Sequence, residues 1–203
     1  MKLRYSPASP YVRKVNVVAL ETGLDGRLER VPTSVSPIKP DAGYQKESNP
    51  LAKVPAVVLD NGEALFDSPV ICEYLDSLHG GAKMFPPAGP ARWTALRRQA
   101  TGDGVLDAAI LMRYELLRPE AMRWAAWTQG QMAKVHGGLA ALEAEADSLG
   151  ATVDIGTISI GCALGYLDFR FASENWRAKH PKLATWYEGF AKRPSMTATA
   201  PKG

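Results

Sequence analysis

Cysteine is nearly absent from this chain: two residues in 203, Cys72 and Cys162, ninety positions apart and each inside an apolar stretch. So low a count leaves no disulfide framework and no thiolate metal cluster, and it reads as two buried structural thiols in a reducing compartment. Histidine is almost as scarce. His79, His136 and His180 are scattered along the sequence, which favours surface or interdomain roles over catalysis, and no metal is expected. No run approaches the ~20 apolar residues of a membrane helix, and residues 1 to 9 lack the apolar core of a secretory signal. A cytoplasmic protein with no membrane partner is expected. Runs of like charge are missing too: 24 basic and 21 acidic residues intermingle to a net charge of +3, which argues against nucleic acid as a partner. What remains is an ordinary globular composition, 46% hydrophobic and 22% charged, in a length that suits two modest domains.

The two halves of the chain differ in pattern. Residues 2 to 5 alternate as a strand does, and apolar Val12, Val15, Val18 and Ala19 mark a helix from Ser9 to about Thr22, ended by Gly23. A second strand is expected at Leu28 to Val31, followed by a polar, proline-containing stretch from Thr33 to Pro50 that reads as loop with at most one turn. Residues 56–59 and 64–66 form a hairpin around Asp60-Asn61-Gly62, and a helix from Ser68 to Leu78 closes a small mixed sheet covered by helices. Glycine and proline crowd residues 80–90, which read as a linker between a domain at 1–79 and another at 91–203. Beyond it the pattern is helical throughout, from about Ala91 to Leu116 and from Pro119 to Ala146. Apolar stripes run through Met132, Val135, Leu139, Leu142 and Ala146, and through Leu183, Trp186, Tyr187 and Phe190. A well-marked start at Asp154, answered by Thr157, opens a helix to Phe171 that is apolar nearly all round and belongs at the domain's centre, with Gly161 and Gly165 allowing close neighbours.

Two helices of the first half open with Ser-Pro, Ser9-Pro10 and Ser68-Pro69, and Lys53-Val54-Pro55 lies between them. Serine at an N-cap with proline at the first helical position leaves free N–H groups and a positive dipole end that favour an anion. A small ligand with a thiolate at one place and a carboxylate at another suits two such ends, and glutathione is such a ligand. In order and spacing these motifs resemble the glutathione transferase superfamily, most nearly its short bacterial serine-type members, and the resemblance spans essentially the whole chain. It implies a thioredoxin-like N-terminal domain followed by an all-helical C-terminal domain, α/β plus all-α. Ser9-Pro10-Tyr11-Val12 is similar to the Cys-Pro-Tyr-Cys turn of glutaredoxins with serine in place of the first cysteine, so chemistry through a protein thiol is lost.

The resemblance also implies roles. Lys53, Val54 and Pro55 match the segment whose backbone pairs with the cysteinyl part of glutathione before a cis-proline, and Asp67 and Ser68 match the acid and serine that bind its γ-glutamyl end. Asp103, in Asp103-Gly104-Val105-Leu106-Asp107, matches an aspartate that reaches glutathione held by the other subunit of a homodimer. Lys192-Arg193-Pro194-Ser195 is a typical ending. Two departures stand out. Asp154 and Thr157 reverse the family's usual Ser or Thr cap and later Asp, and residues 33–50 offer only Lys39 and Gln45 as further glutathione contacts.

A free thiol of pKa about 8.5 is mostly protonated at pH 7, so the expected enzyme must stabilise the thiolate, with Ser9 as hydrogen-bond donor and glutathione as co-substrate. The second substrate, a hydrophobic electrophile in a detoxification reaction, is expected between the domains, near residues 6–11 with Tyr11 and near Ile110, Met112, Arg113 and Tyr114. Arg113 suits an anionic or carbonyl substrate, although an arginine among glutamates and arginines is more often a solvated or paired surface group. Asp103 and Asp107 on one helix face, beside Gly102 and Gly104, suggest a bend or a close approach there, a subunit interface being one explanation. Two other readings keep the fold: a glutathione-binding or assembly module without turnover, and a glutathione-dependent peroxidase.

Overall fold

The computed structural model describes residues 1–201. The chain divides into two compact units, residues 1–87 together with 194–203, and residues 88–193.

In the first unit β1 (Lys2–Tyr5) leads into α1 (Pro10–Glu21), and β2 (Glu29–Pro32) returns parallel to β1. After α2 (Ala42–Glu47), the short β3 (Ala56–Val58) and β4 (Ala64–Leu65) complete an antiparallel edge, and α3 (Ser68–Ser77) follows. The strand order β2-β1-β3-β4 places β1 and β3 centrally, where Leu3, Ala56 and Val57 are fully buried. Gly23, at φ +72°, ends α1 in a conformation that residues with a side chain rarely adopt.

Three expectations for this unit need correction. The stretch at 33–50 contains a helix, α2, because the Asp41 carboxylate accepts the Tyr44 N–H at 2.8 Å and caps it. The N-cap of α3 is Asp67 instead of Ser68, which is already the first helical residue, and no side chain caps that end. Residues 80–87 are not a free linker either. The buried Asp76 carboxylate of α3 accepts the N–H groups of Met84 at 2.7 Å and Phe85 at 3.1 Å, so this segment folds back onto α3.

The second unit consists of α4 (Gly89–Leu116), α5 (Ala125–Ala144), α6 (Ile155–Arg170), α7 (Trp176–Lys179) and α8 (Pro181–Phe190). The expected helix from Pro119 begins later, after a 3-10 turn at Glu120–Met122, and Glu115 fixes the new start by accepting the Trp124 N–H at 2.7 Å. The central helix is α6, buried from Ile155 to Leu167. Its reversed cap closes fully. Asp154 accepts the Thr157 N–H at 2.9 Å, and the Thr157 hydroxyl accepts the Asp154 N–H at 3.0 Å. Both cysteines are buried without a disulfide.

The Gly102 position answers the question of a bend or close approach. A Cβ there would meet the Ser159 carbonyl carbon at 2.8 Å, and one at Gly156 would meet the Ala95 carbonyl oxygen at 2.7 Å. Missing side chains thus let α4 and α6 touch backbone to backbone, an explanation inside the helical unit. Gly104 has nothing within 4 Å.

The chain then returns to the first unit. Helix α9 (Pro194–Ala198) packs on α1, where Arg13 donates to the Met196 carbonyl at 3.0 Å and Ser195 bonds Glu21. The last residues therefore belong with the sheet and not, as sequence pattern suggests, with the helices.

These contacts set two expected outcomes in urea unfolding. Gly102→Ala should lower the midpoint, since overpacking costs about 1 to 3 kcal/mol against a helix-propensity gain of at most about 1, whereas Gly104→Ala should raise it. Asp154→Ala should cost about 1 kcal/mol, and an unchanged midpoint would show that the cap does not hold α6.

Candidate functional site

Three separated turns of the first unit converge on one small apolar cluster. Val12 from the first turn of α1, Val54 and Ala56 from the approach to β3, and Tyr44 from α2 are buried together, and Phe66, just before α3, packs against them. Val12 is three residues from Ser9, Val54 precedes Pro55, and Phe66 precedes Asp67 and Ser68. Burying these apolar groups in one place therefore brings Ser9, the Val54–Pro55 turn and the start of α3 to the same part of the unit.

Ser9 takes the N-cap of α1 in an extended conformation, φ −81° and ψ 120°, and its Oγ accepts the Val12 N–H at 3.3 Å. The hydroxyl proton is not used in that bond. Pro10 follows at the first helical position, and no acidic residue lies in the first turn. The end thus keeps its positive dipole character, and one of its N–H donors engages the hydroxyl oxygen.

The turn at residues 52–55 is held from below. The Tyr44 hydroxyl donates to the Lys53 carbonyl at 2.7 Å, and the Asn49 amide donates to the same oxygen at 2.8 Å. Burial pushes the Tyr44 phenol up to about 12, against a smaller downward pull from Arg4, so it remains a donor throughout the physiological range. The Val54–Pro55 peptide is cis. Among the described residues neither the N–H nor the C=O of Val54 has a hydrogen-bond partner. A main-chain donor and acceptor side by side can pair with an extended peptide.

At the third turn Asp67 is exposed and Ser68 is buried, with the first N–H groups of α3 beside them. Lys53 is exposed. Lys39 is exposed as well, and Gln45 is spent on the Pro50 carbonyl at 3.1 Å. Tyr44 and Asn49 support the site and were not expected in it. The one available signal was the Asp41 cap that turns residues 42–47 into a helix.

A cavity of about 370 Å³ also opens beside Ser9, lined by Ser6, Arg13, Asn16, Arg30 and Thr199 among others. Val54, Pro55, Asp67 and Ser68 are not part of it. Its arginines are committed to the protein: Arg13 to Met196 and Thr199, Arg30 to Asp25 and Asn16.

The remaining candidates divide between the units. Tyr11 is half-buried on α1, while Asp103, Ile110, Met112, Arg113 and Tyr114 lie on α4 of the helical unit. Met112 is only 2% exposed and offers a ligand little surface. Asp103, Ile110 and Arg113 are half-buried, and Tyr114 is exposed.

Comparison with known proteins is decisive about ancestry. Residues 8–78 match the model of the glutathione S-transferase N-terminal domain, and residues 125–189 that of the C-terminal domain. The "Uncharacterized GST-like protein YibF" of Escherichia coli (strain K12) is 34% identical, over 99% of this chain and 98% of its own. A glutathione transferase family member from Pseudomonas fluorescens Pf-5, solved with bound glutathione, is 48% identical over 100% of this chain and 99% of that one, with a TM-score of 0.96. A structure from the same organism with bound S-(propanoic acid)-glutathione is 46% identical over the full length of both chains, with a TM-score of 0.92. A glutathione S-transferase from Methylobacillus flagellatus KT with glutathione bound is 37% identical over 99% of each chain, with a TM-score of 0.90. Full-length similarity at this level, joined to the thioredoxin-like sheet and the all-helical second unit, means that the chain belongs to the glutathione S-transferase family.

Proposed function

We propose that the chain binds glutathione across the three converging turns and catalyses attack of its sulfur on an electrophile. The observation that carries this reading is the shared burial of Val12 and Val54 with Phe66 packed against them, which gathers two helix N-termini and an unpaired main-chain segment in one unit. The relatives that hold glutathione or its S-(propanoic acid) adduct support it.

Each group then has a task. The Val54 N–H and C=O pair with the cysteinyl residue, next to Lys53 and Pro55. The N–H groups at the start of α3, with Ser68, receive the γ-glutamyl carboxylate, and Asp67 receives the neighbouring ammonium. The Ser9 hydroxyl points its free proton at the sulfur. Because its oxygen already accepts from Val12, capping and donation to sulfur are compatible, and the first bond polarises the second.

The magnitudes suffice. A hydrogen bond to a charged group contributes roughly 1.5 to 3 kcal/mol and a helix end about 0.3 to 1 more, while one pKa unit corresponds to about 1.36 kcal/mol. Together they lower the thiol by about one to three units from its free value near 8.5.

Ser9→Ala should bind glutathione about as well by calorimetry but conjugate a generic aryl halide at least tenfold more slowly at pH 7. Without the donor the thiol pKa rises, so the deficit should shrink as pH climbs past about 9, where solution alone ionises the thiol. Loss of the cap alone costs about 1 kcal/mol of stability and moves neither readout. An unchanged rate at pH 7 would remove Ser9 from the chemistry, and absence of glutathione binding would remove the site.

The same reading includes a homodimer in which Asp103 serves the partner's glutathione. Trp93 is 68% exposed and Leu111 43% exposed on α4, which leaves apolar side chains on that helix for a second copy to cover. Sedimentation at micromolar concentration should give twice the chain's mass, and a monomer there would contradict the role of Asp103.

A further inference from the structure

The cavity of about 370 Å³ beside Ser9 lies wholly within the first unit, and the conjugation reading gives it no task. It follows one face of α1. Ser9, Arg13, Asn16 and Leu20 line it and recur every three or four residues, as neighbours on a helix surface do. Arg30 reaches this face from β2, where its Nε donates to the Asn16 Oδ1 at 3.1 Å, and Thr199 reaches it from just beyond α9, where it accepts from the Arg13 Nε at 3.4 Å.

The polar groups of the cavity are unevenly spent. Its acceptors are taken: the Asp25 carboxylate and the Asn16 Oδ1 by Arg30, and the Thr199 hydroxyl oxygen by Arg13. Its donors are not. With Oδ1 turned to Arg30, the Asn16 Nδ2 group has no acceptor among the described residues, and neither has the Ser6 hydroxyl. Arg13 gives Nη2 to the Met196 carbonyl at 3.0 Å, while its Nη1 is buried without a hydrogen-bond partner. Charge is unbalanced in the same sense. Arg30 is answered by Asp25, but Arg13, only 7% exposed, has no carboxylate partner among the described residues. Glu21, the one acid of α1, bonds Ser195. Buried charges are normally paired, so one positive charge too many, in a cavity whose unused valences are N–H and O–H, suits an acceptor with a single negative charge.

We propose that this cavity binds a small organic carboxylate, at a site separate from the three turns. The Arg13 guanidinium and the Asn16 amide hold the carboxylate, guanidinium and carboxylate being matched in charge and hydrogen-bonding geometry. Tyr5, Pro7, Leu20 and Ala198, which also line the cavity, cover the hydrocarbon body. The volume stands near the lower end of ligand pockets, about 300 to 1,000 Å³, which keeps that body small. A phosphate monoester is a poorer match. It carries about 1.5 to 2 negative charges against one unanswered cation, and the Asp25 carboxylate repels the surplus. Val54, Pro55, Asp67 and Ser68 do not line the cavity, so it fills whether or not glutathione is bound.

Calorimetry on the full chain with hexanoate, hexanol and inorganic phosphate tests the site. Hexanoate should bind one to one and at least tenfold more tightly than either of the others, with its affinity changed less than twofold by saturating glutathione. Asn16→Asp replaces the amide donor by an acid that still accepts from Arg30. It should weaken hexanoate at least tenfold without lowering the thermal midpoint, which reports an intact fold. Absence of hexanoate binding, equal binding of hexanol or phosphate, undiminished binding by Asn16→Asp, or displacement of hexanoate by glutathione would each overturn the inference. None of these outcomes touches the conjugation reading, whose own test is glutathione binding and the rate of Ser9→Ala.

Discussion

The burial of Val12 with Val54 is the contact on which the proposed glutathione site rests. None of the three turns is a site alone, because a helix N-terminus or a short irregular segment offers only one or two main-chain groups to a ligand. Their useful spacing comes from the apolar side chains one to three residues away, which exclude water together with Ala56 and Tyr44. Tyr44 links the packing to the polarity of the site. Its ring fills the cluster, and its hydroxyl, kept protonated by burial, fixes the Lys53 carbonyl immediately before Val54. The main chain of this turn is thereby held at the Lys53 carbonyl, while the adjoining N–H and C=O of Val54 stay unpaired among the described residues.

A site built from backbone groups is only partly legible in sequence. Ser9-Pro10 could be read because serine and proline act at a helix start through their own chemistry, and cap chemistry likewise located the start of α6, although the reversed order of Asp154 and Thr157 left the reciprocal bond open until the fold showed it. The rule misplaced the cap of α3 by one residue, since Ser-Pro there follows an extended Asp67 and the serine enters the helix. Helix α2 escaped notice because Pro37 and Pro40 precede it and Gly43 lies within it, although Asp41 carried the signal. Pairwise closeness was hidden altogether: no local pattern says that Gly102 meets the Ser159 backbone, or that residues 194–198 return to α1.

The helical unit shows how one local defect organises distant groups. Glycine inside a helix normally weakens it, and Gly102 beside Asp103 looks from sequence like an opening toward a partner. In the fold it admits the α6 backbone, and with Gly156 two turns earlier in the crossing it sets the register of two long parallel helices. Register then decides which side chains meet at the far end. The polar surface of α4 therefore cannot be interpreted without the packing that indexes it.

A neutral hydroxyl stands at the N-cap of α1 where a cation would hold a thiolate more strongly, and sulfur chemistry gives a reason. A cation touching the sulfur would stabilise the thiolate most, on the order of 4 kcal/mol at 4 Å with an effective dielectric of about 20. It would also tie up the lone pair, because thiolate nucleophilicity falls as its pKa falls, with a Brønsted slope of about 0.4 to 0.5. The best attacking thiol has a pKa near the ambient pH, only one to two units below the free value of about 8.5. A neutral hydroxyl and a helix end supply a shift of that size. Arg13, the cation nearest Ser9 in sequence, is engaged with Met196 and Thr199, so the cap of α1 is left to weak donors.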